Sequence, residues 1–322
     1  MCDLFAGCGD VHGIGEFRLG HMREPFSLEG GTSANTFACL ERSPINDLDP
    51  ARNWGLGLFR CSSAEDSTVA LGIFHSGTDP CDFQGGDGSD TAVTARWTTL
   101  LSYEDGGERL VHIGLALSAR FPDRGVVVIN QQPRSPLLDL GDSSASPFVP
   151  TIRIPADSQQ LGNAQWAMVR GPFWAQAEWY GSLIEQRSGQ PVFFQGSHID
   201  VGYFLTGEHR SYQTRSGVFG PVTVKRPVLR CFASPQSAQC LGRGAWELTA
   251  RFAFLDFFDP DAPAGPDGQS VGIVLPLATV GVNWYLADRL RIMFNYSYVR
   301  PDEPNTGASA ASVFATRLAA FW

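Results

Sequence analysis

The sequence predicts an all-β fold, an antiparallel transmembrane β-barrel, on three observations. Extended segments alternate strictly between apolar and polar residues, short connections alternate with long ones, and the chain ends on the aromatic residue Trp322. Alternation with a period of two indicates strands with one apolar and one polar face. In an outer-membrane barrel the apolar face contacts lipid, the polar face lines a water-filled interior, and aromatic residues gather at the interfaces.

The segment from Asp288 to Arg300 shows the alternation most clearly. One face carries Leu290, Ile292, Phe294, Tyr296 and Tyr298, and the other carries Arg289, Arg291, Met293, Asn295, Ser297 and Val299. About twelve such segments run through the chain, near 13–23, 52–61, 66–76, 91–103, 109–121, 161–170, 173–184, 193–206, 244–257, 271–286, 289–300 and 312–322. Several reach the roughly 9–11 residues that a tilted strand needs to cross a bilayer.

The connections between these segments alternate between short turns and long loops. The short ones are 62–64, 104–108, 171–172 and 287–288, and the long ones are 24–51, 76–90, 122–160, 256–270 and 301–311. Short turns at one end and long loops at the other are typical of outer-membrane barrels. The long segment 207–243 is an exception, because it falls on the short-turn side. The whole chain, 1–322, is therefore predicted to form a single barrel domain.

Composition supports this fold class and argues against others. The chain is 43% hydrophobic, with 35 glycines and 11% aromatic residues, which suits many short strands joined by tight turns. No run of about 18 apolar residues marks a transmembrane helix. The net charge of -9 argues against nucleic-acid binding.

Motifs for catalysis or metal binding are missing from the sequence, so neither an enzyme nor a cofactor is expected. The six histidines form no HxxxH or HExxH pattern, no GxSxG motif occurs, and the seven cysteines include no CxxC pair. His198 and Asp200 share a predicted lumen face, which is more typical of polar lining than of a metal pair. Cys231 and Cys240 flank an irregular polar stretch, where a disulfide would suit an oxidising periplasm.

Four stretches carry a resemblance to a known family. They are FRLGHMREPFSLE (17–29) followed by TFACLERS (36–43), WAMVRGPFWAQAEW (166–179), YFLTGEHRSY (203–212) followed by SGVFGPV (216–222), and GVNWYLADRLRIMFNY (281–296) with the terminal aromatic. In these stretches, which follow the family's order over nearly the whole chain, the sequence resembles the phosphate-selective porins of the porin O and P family.

The resemblance implies a passive channel in the Gram-negative outer membrane, permeated by small anions of the phosphate or pyrophosphate class. It implies a barrel of about 16 strands, usually trimeric and surrounded by outer-membrane lipid. It also implies that 24–51 and 122–160 are surface loops that fold inward, and that 207–243 is a periplasmic connection reaching into the lumen. The twelve segments would then be the last twelve of about 16 strands, so about four strands and a signal peptide are expected to be missing at the N-terminus. Residues 1–10 lack a signal-peptide pattern, which agrees with this expectation.

Arginines are the candidates for an anion path, because the guanidinium group is a planar, bidentate partner for phosphate. On strands, the alternation directs Arg96, Arg120, Arg251, Arg289, Arg291 and Arg317 toward the lumen. In the inward loops the candidates are Arg42, Arg52, Arg134, Arg153, Arg215, Lys225 and Arg226. The chain departs from the family in lacking lysine almost entirely, and Arg23 stands where the family's motif commonly has Lys.

Two alternatives compete with an anion-selective channel. The first is a non-selective or non-conducting outer-membrane barrel with a structural or surface-binding role. The second is a soluble all-β binding domain, in which the apolar face of each strand would form a dry core and the arginines would face outward. The two barrel interpretations and the soluble one therefore differ in which face of each strand is buried.

Overall fold

The computed structural model describes residues 3–9, 13–75, 90–129, 152–228, 242–263, 274–300 and 310–321. Its strands are β1 (Leu4–Cys8), β2 (Glu16–Arg23), β3 (Arg52–Cys61), β4 (Ser67–His75), β5 (Asp90–Glu104), β6 (Arg109–Pro122), β7 (Val126–Ile129), β8 (Ile152–Arg170), β9 (Phe173–Gln186), β10 (Val192–Phe204), β11 (Tyr212–Gln213), β12 (Val218–Phe219), β13 (Ala245–Asp256), β14 (Val274–Ala287), β15 (Leu290–Val299) and β16 (Ala311–Ala320). One short helix, α1 (Leu28–Gly31), and 3-10 turns at Ala34–Thr36, Pro44–Leu48 and Asp105–Gly107 complete the described elements. None of the helices in these ranges is long and apolar enough to cross a membrane.

The strands form one antiparallel sheet in which neighbours in sequence are neighbours in space. The 14-stranded sheet runs β1-β2-β3-β4-β5-β6-β8-β9-β10-β13-β14-β15-β16, with β7 paired to β8 alone. A separate two-stranded ribbon, β11–β12, lies in the connection between β10 and β13. Within the described ranges, β1 and β16 each pair on one side only. This up-and-down order, with every pairing antiparallel, confirms the predicted all-β fold class.

Each of the predicted segments corresponds to a strand of the large sheet, but two details differ. Strand β1 was missed, because its five residues, LFAGC, are too short and too small to show alternation. Strand β8 begins at Ile152 rather than near residue 161, and β7 pairs with its first residues. The predicted loop 122–160 is therefore partly a strand extension, and residues 130–151 lie outside the described part of the chain.

Burial on the two faces of the sheet is the reverse of that in a soluble sheet. Phe252 on β13 and Phe294 on β15 are 51% and 47% exposed. Arg251 and Arg291, on the opposite face of the same two strands, are 6% and 2% exposed. Other large apolar side chains on the outer face are also exposed, among them Leu56, Leu71, Ile73, Leu115, Leu117, Val280 and Phe314. A soluble protein rarely exposes so continuous an apolar surface. The soluble interpretation is therefore ruled out by the direction in which the strands bury their side chains.

The inner face, which carries the buried polar side chains, is layered along the strands. Near the end where the long loops leave the sheet, one apolar cluster includes Ile154, Leu161, Ile184, Phe194, Leu255 and Leu275. Near the short-turn end, a second apolar cluster includes Leu110, Val169, Trp174, Phe204 and Tyr285. Between them lie buried polar residues such as Asn163, Glu178, His198, Asp200, Thr249 and Arg251. The polar middle of the inner face is thus bounded by apolar packing at both ends.

A charge placed on the outer face tests its contact with lipid. Phe252→Arg is expected to lower the free energy of unfolding in lipid vesicles by about 2–4 kcal/mol, the usual cost of an arginine facing the middle of a bilayer. The control Phe258→Arg, at an exposed position just beyond β13, should cost only about 0–1 kcal/mol. Reversible urea unfolding of the two variants measures both values, and equal small costs would contradict lipid contact at Phe252.

Candidate functional site

The connection between β2 and β3, residues 24–51, crosses the inner face of the sheet; it is called the inward loop below. Its first residue, Glu24, accepts hydrogen bonds from Asn53 Nδ2 at 2.6 Å and from Arg120 Nη1 at 3.2 Å. Two residues later, the carbonyl of Phe26 accepts a bond from Gln165 Nε2 at 2.7 Å. The loop therefore turns inward directly after β2 and is fixed to strands as far away as β8.

The helix α1 of the inward loop is held at its N-terminus by a carboxylate of the sheet. Glu178 on β9 accepts hydrogen bonds from the backbone N–H groups of Leu28 at 2.8 Å and Glu29 at 2.7 Å. These N–H groups have no partner within a helix of this length, so an external acceptor must satisfy them when they are buried. Glu178 supplies that acceptor, and Ser27 caps the Gly30 N–H at 2.8 Å.

A buried network of charges surrounds this contact. Arg251 on β13 donates to both carboxylate oxygens of Asp200, at 2.6 and 2.7 Å, and to Glu29 of the inward loop. His198 lies between three carboxylates, with its ring nitrogens 3.3 Å from Asp200, 3.4 Å from Glu178 and 3.8 Å from Glu29. The charge of Arg251 is thus closely paired, and the pairing fastens the loop to the sheet.

The second half of the inward loop is held by its backbone carbonyls. Five donors bind five carbonyl oxygens in order along the chain: Arg210 binds Thr36 at 3.3 Å, Arg291 binds Phe37, Asn283 binds Ala38 at 2.7 Å, Arg317 binds Leu40 at 3.3 Å and Arg251 binds Glu41 at 2.8 Å. This set is called the carbonyl contacts below. Three of these arginines, Arg251, Arg291 and Arg317, are among the predicted lumen candidates. Each donates at least one guanidinium N–H to the loop.

A second segment enters the inner face from the opposite end of the sheet. Residues 205–228, called the opposite segment, contain the β11–β12 ribbon. Arg96 on β5 donates to the carbonyls of Ser216 at 3.1 Å and Gly217 at 2.7 Å. Five apolar residues of the opposite segment belong to the same cluster as Leu28 and Ala38 of the inward loop: Tyr212, Val218, Phe219, Val222 and Val224. The two segments therefore meet inside the sheet.

Three arginines gather where the inward loop leaves β2 and rejoins β3. Arg23 and Arg52 face each other directly across the β2–β3 ladder, an arrangement of like charges that destabilises a sheet unless it is compensated. Arg23 is paired with Asp49 at 2.8 Å, and Arg52 with Asp3 at 2.7 Å. The three guanidiniums and two carboxylates, Arg23, Arg42, Arg52, Asp3 and Asp49, are called the loop-base cluster.

Arg42 is the member of the loop-base cluster that the inward loop itself contributes. Its Nη2 donates to the carbonyls of Gly30 at 3.1 Å and Thr32 at 3.2 Å. Burial, followed by the nearby charge of Arg23, lowers the pKa of the Arg42 guanidinium to about 10, so the side chain stays charged at neutral pH. The Nε atoms of Arg42 and Arg23 are buried and have no hydrogen-bond partner among the residues that the structure describes. The cluster therefore holds two unused donors.

Several predicted candidates lie away from these contacts. Arg289 is not on a lumen-facing strand position, because it lies in the exposed turn between β14 and β15. Arg153 is exposed on β8, and Arg226 is exposed in the opposite segment. Arg215 is exposed and paired with Glu65 at 2.8 Å, and Lys225 Nζ donates to the Gly207 carbonyl at 2.6 Å. Arg134, Cys231 and Cys240 lie outside the described residues.

Two arginines that hold the inward loop, Arg23 and Arg210, were absent from the predicted set. Arg23 follows the outward alternation of β2, and only its place in the family-like stretch 17–29 marked it. Arg210 lies in an irregular stretch without periodicity, so alternation could not assign it a direction. Free cysteines in the described ranges are Cys8, Cys39 and Cys61, and these ranges contain no cluster of three or more His, Cys, Asp or Glu side chains suited to a metal ion.

Comparisons with known proteins identify the family. Porin O of Pseudomonas aeruginosa is 24% identical over 324 residues, covering 94% of this chain and 69% of that protein. An uncharacterized protein of Caulobacter vibrioides is 28% identical over 155 residues, covering 48% of this chain and 27% of that protein. Among solved structures, OmpTdeltaL8, a loop L8 deletion mutant of OmpT, an outer membrane protein of Vibrio cholerae, matches 95% of this chain and 76% of its own with 11% identity and a TM-score of 0.46.

The family description "Phosphate-selective porin O and P" matches residues 10–319, which is nearly the whole chain. Members of this family are channels and not enzymes. The match agrees with an inner face rich in charged side chains and an outer face rich in exposed apolar ones. The chain therefore belongs to the phosphate-selective porin O and P family and is a β-barrel protein of the Gram-negative outer membrane.

Proposed function

We propose that this outer-membrane porin is a passive diffusion channel for small anions of the phosphate class, and that the loop-base cluster gives it its selectivity. The support from relatives is the family description and the name of Porin O. The observation that carries the proposal is the charge of the cluster, in which three guanidiniums are opposed by two carboxylates, Asp49 and Asp3.

The chemistry of an anion channel requires weak, partial replacement of the anion's water shell. A site that binds too tightly would hold the anion instead of releasing it. The loop-base cluster meets this requirement, because Asp49 and Asp3 cancel part of the positive charge while the remaining positive charge still favours an anion. A passive channel of this kind needs no nucleophile and no cofactor.

The arginines on the strands contribute less to selectivity in this proposal. Buried side chains in the described ranges include five arginines, Arg96, Arg120, Arg210, Arg251 and Arg291, and seven carboxylates, Glu24, Glu29, Asp49, Glu178, Asp200, Glu208 and Glu247. Carboxylates outnumber arginines by two in this interior, so it does not by itself favour anions. A local excess at the loop-base cluster, rather than a continuous arginine lining, is therefore the proposed origin of selectivity.

The alternative of a non-selective or non-conducting barrel is favoured by one observation. The inward loop and the opposite segment fill both apolar layers of the inner face, with Phe26 and Ile45 in one and Leu28 and Val218 in the other. Conductance measurements separate the two functions directly. The trimeric state implied by the family resemblance stays a prediction.

Removing one charge from the loop-base cluster should weaken anion preference. A unit charge about 6 Å from the permeating ion in a water-like medium is worth about 0.7 kcal/mol, or about threefold in relative permeability. Arg42→Gln is therefore expected to lower the anion-to-cation permeability ratio about threefold, read from reversal potentials of single channels in asymmetric potassium chloride. Arg109→Gln, at the exposed first residue of β6, should leave the ratio unchanged, and equal shifts in both variants would refute the site.

Exchanging the guanidinium of Arg42 for an ammonium separates charge from geometry. Arg42→Lys keeps the charge, so the reversal potential should stay near that of the unsubstituted channel. Inhibition of chloride current by added inorganic phosphate should weaken by about two- to tenfold, because lysine lacks the planar fork that binds an oxyanion bidentately. Phosphate titrations of the chloride current measure this, and an unchanged inhibition constant would contradict a role for Arg42 in recognising phosphate.

A further inference from the structure

We propose that Arg210 and Arg291 form a clamp that joins the inward loop to the opposite segment and to β15 and so fixes the width of the pore. The two arginines are positioning residues, because both contact the main chain of the loop. The clamp depends on the proposed channel function only because its main test measures conductance. It assigns the width of the pore to residues other than those that determine its selectivity.

The clamp holds two consecutive peptide groups from two different elements. Arg210 belongs to the opposite segment and donates to the carbonyl of Thr36 at 3.3 Å. Arg291 lies on β15 and donates from Nη1 to the next carbonyl, that of Phe37. Adjacent carbonyls point in different directions along an irregular chain, so two donors on them fix both the position and the rotation of that part of the loop.

Arg210 is itself held firmly in place. Its guanidinium lies 4.1 Å from the ring centroid of Trp174 and 4.4 Å from that of Phe219. Cation–π contacts of this kind are strongest when the cation is desolvated, and Arg210 is only 3% exposed. Because Trp174 is on β9 and Phe219 on β12, the side chain links the sheet, the opposite segment and the inward loop.

A carboxylate beside the clamp is held without using the donors that bind the loop. Glu247 is fully buried and accepts bonds from three neutral donors: Trp174 Nε1 at 2.7 Å, Asn283 Nδ2 at 2.8 Å and the Tyr285 hydroxyl at 2.8 Å. The carboxylate is therefore fixed beside Trp174 and Tyr285, over whose rings Arg210 and Arg291 lie, and it takes no hydrogen bond from either guanidinium in the described contacts. Both arginines stay available for the carbonyls of the loop.

A second contact between the two segments offers an independent probe. A Cβ atom added to Gly31 of the inward loop would lie 2.9 Å from Cγ1 of Val218 in the opposite segment. The Cγ1 atom of valine stands close to where a cysteine Sγ would lie, and in a disulfide the Cβ of one cysteine is about 3 Å from the Sγ of the other, as the S–S length and bond angles require. Cysteines at these two positions can therefore lock the segments together whether or not Arg210 is present.

Loss of the clamp should loosen the loop without changing ion preference. In single-channel recordings of the full chain in planar bilayers, Arg210→Gln is expected to raise the fraction of time spent at a wider conductance level about tenfold, since one charge-assisted hydrogen bond shifts a two-state equilibrium by about that factor. The reversal potential should stay unchanged, because the loop-base cluster lies on β2, β3 and the loop. Arg109→Gln is the matched control and should show no wider level.

The disulfide provides the rescue and the test that does not depend on current. Oxidation of the Gly31→Cys/Val218→Cys pair should abolish the wider conductance level of Arg210→Gln, and reduction should restore it. Either cysteine alone should have no effect under the same oxidation, which controls for reaction with the native Cys39. If Arg210→Gln does not fold, the same cysteine pair is oxidised in the channel that keeps Arg210. Oxidation should then remove the brief openings to the wider conductance level that this channel still shows. If the unsubstituted protein does not conduct, the proposed function fails, but gel mobility still shows whether the pair cross-links.

Three results would overturn the clamp. The first is an Arg210→Gln channel with unchanged conductance levels. The second is a shift of its reversal potential as large as that of Arg42→Gln, which would place Arg210 in the selectivity site. The third is failure of the cysteine pair to form a disulfide when Arg210 is intact, which would show that the two segments do not meet.

Discussion

The structure depends on hydrogen bonds that satisfy irregular backbone inside a membrane-spanning sheet. Non-helical backbone at membrane depth is tolerated only where protein groups or water in a cavity satisfy its polar atoms. The inward loop meets this constraint with side chains of the sheet: Glu178 accepts from its N–H groups, and the carbonyl contacts bind its oxygens. Without these partners the polar backbone of the inward loop would be buried unsatisfied, so the loop would stay at the end of the sheet from which it leaves.

This use of charged side chains limits what the same side chains can do for transport. A guanidinium that already binds a carbonyl and a carboxylate, as Arg251 does with Glu41 and Asp200, has few donors left for a passing ion. Buried ion pairs also carry a desolvation cost that only good geometry offsets. Under the proposed function, the arginines of the sheet hold the loop, and the loop-base cluster, where the loop meets β2 and β3, attracts the solute.

Alternation predicted the direction of side chains far better than it predicted their partners. The apolar side of β13 and β15 faces outward and their arginines face inward, because a period of two fixes the face of every residue in a strand. The partner of each arginine is a loop carbonyl distant in sequence, and no local pattern encodes such a pair. Arg289 was misplaced because strand ends are uncertain by a residue or two, and Arg210 lay in a segment without any period.

The carbonyl contacts have a consequence for how the sequence of the inward loop can change. Every residue type offers the same carbonyl oxygen, so the anchoring of 36–41 does not depend on which side chains those positions carry. Thr36, Leu40 and Glu41 are half-buried, so substitutions there can alter the surface of the inner face while the trace of the loop stays the same, whereas Phe37, Ala38 and Cys39 are buried and packed. A loop anchored in this way can exchange its half-buried side chains without any change in the wall that supports it.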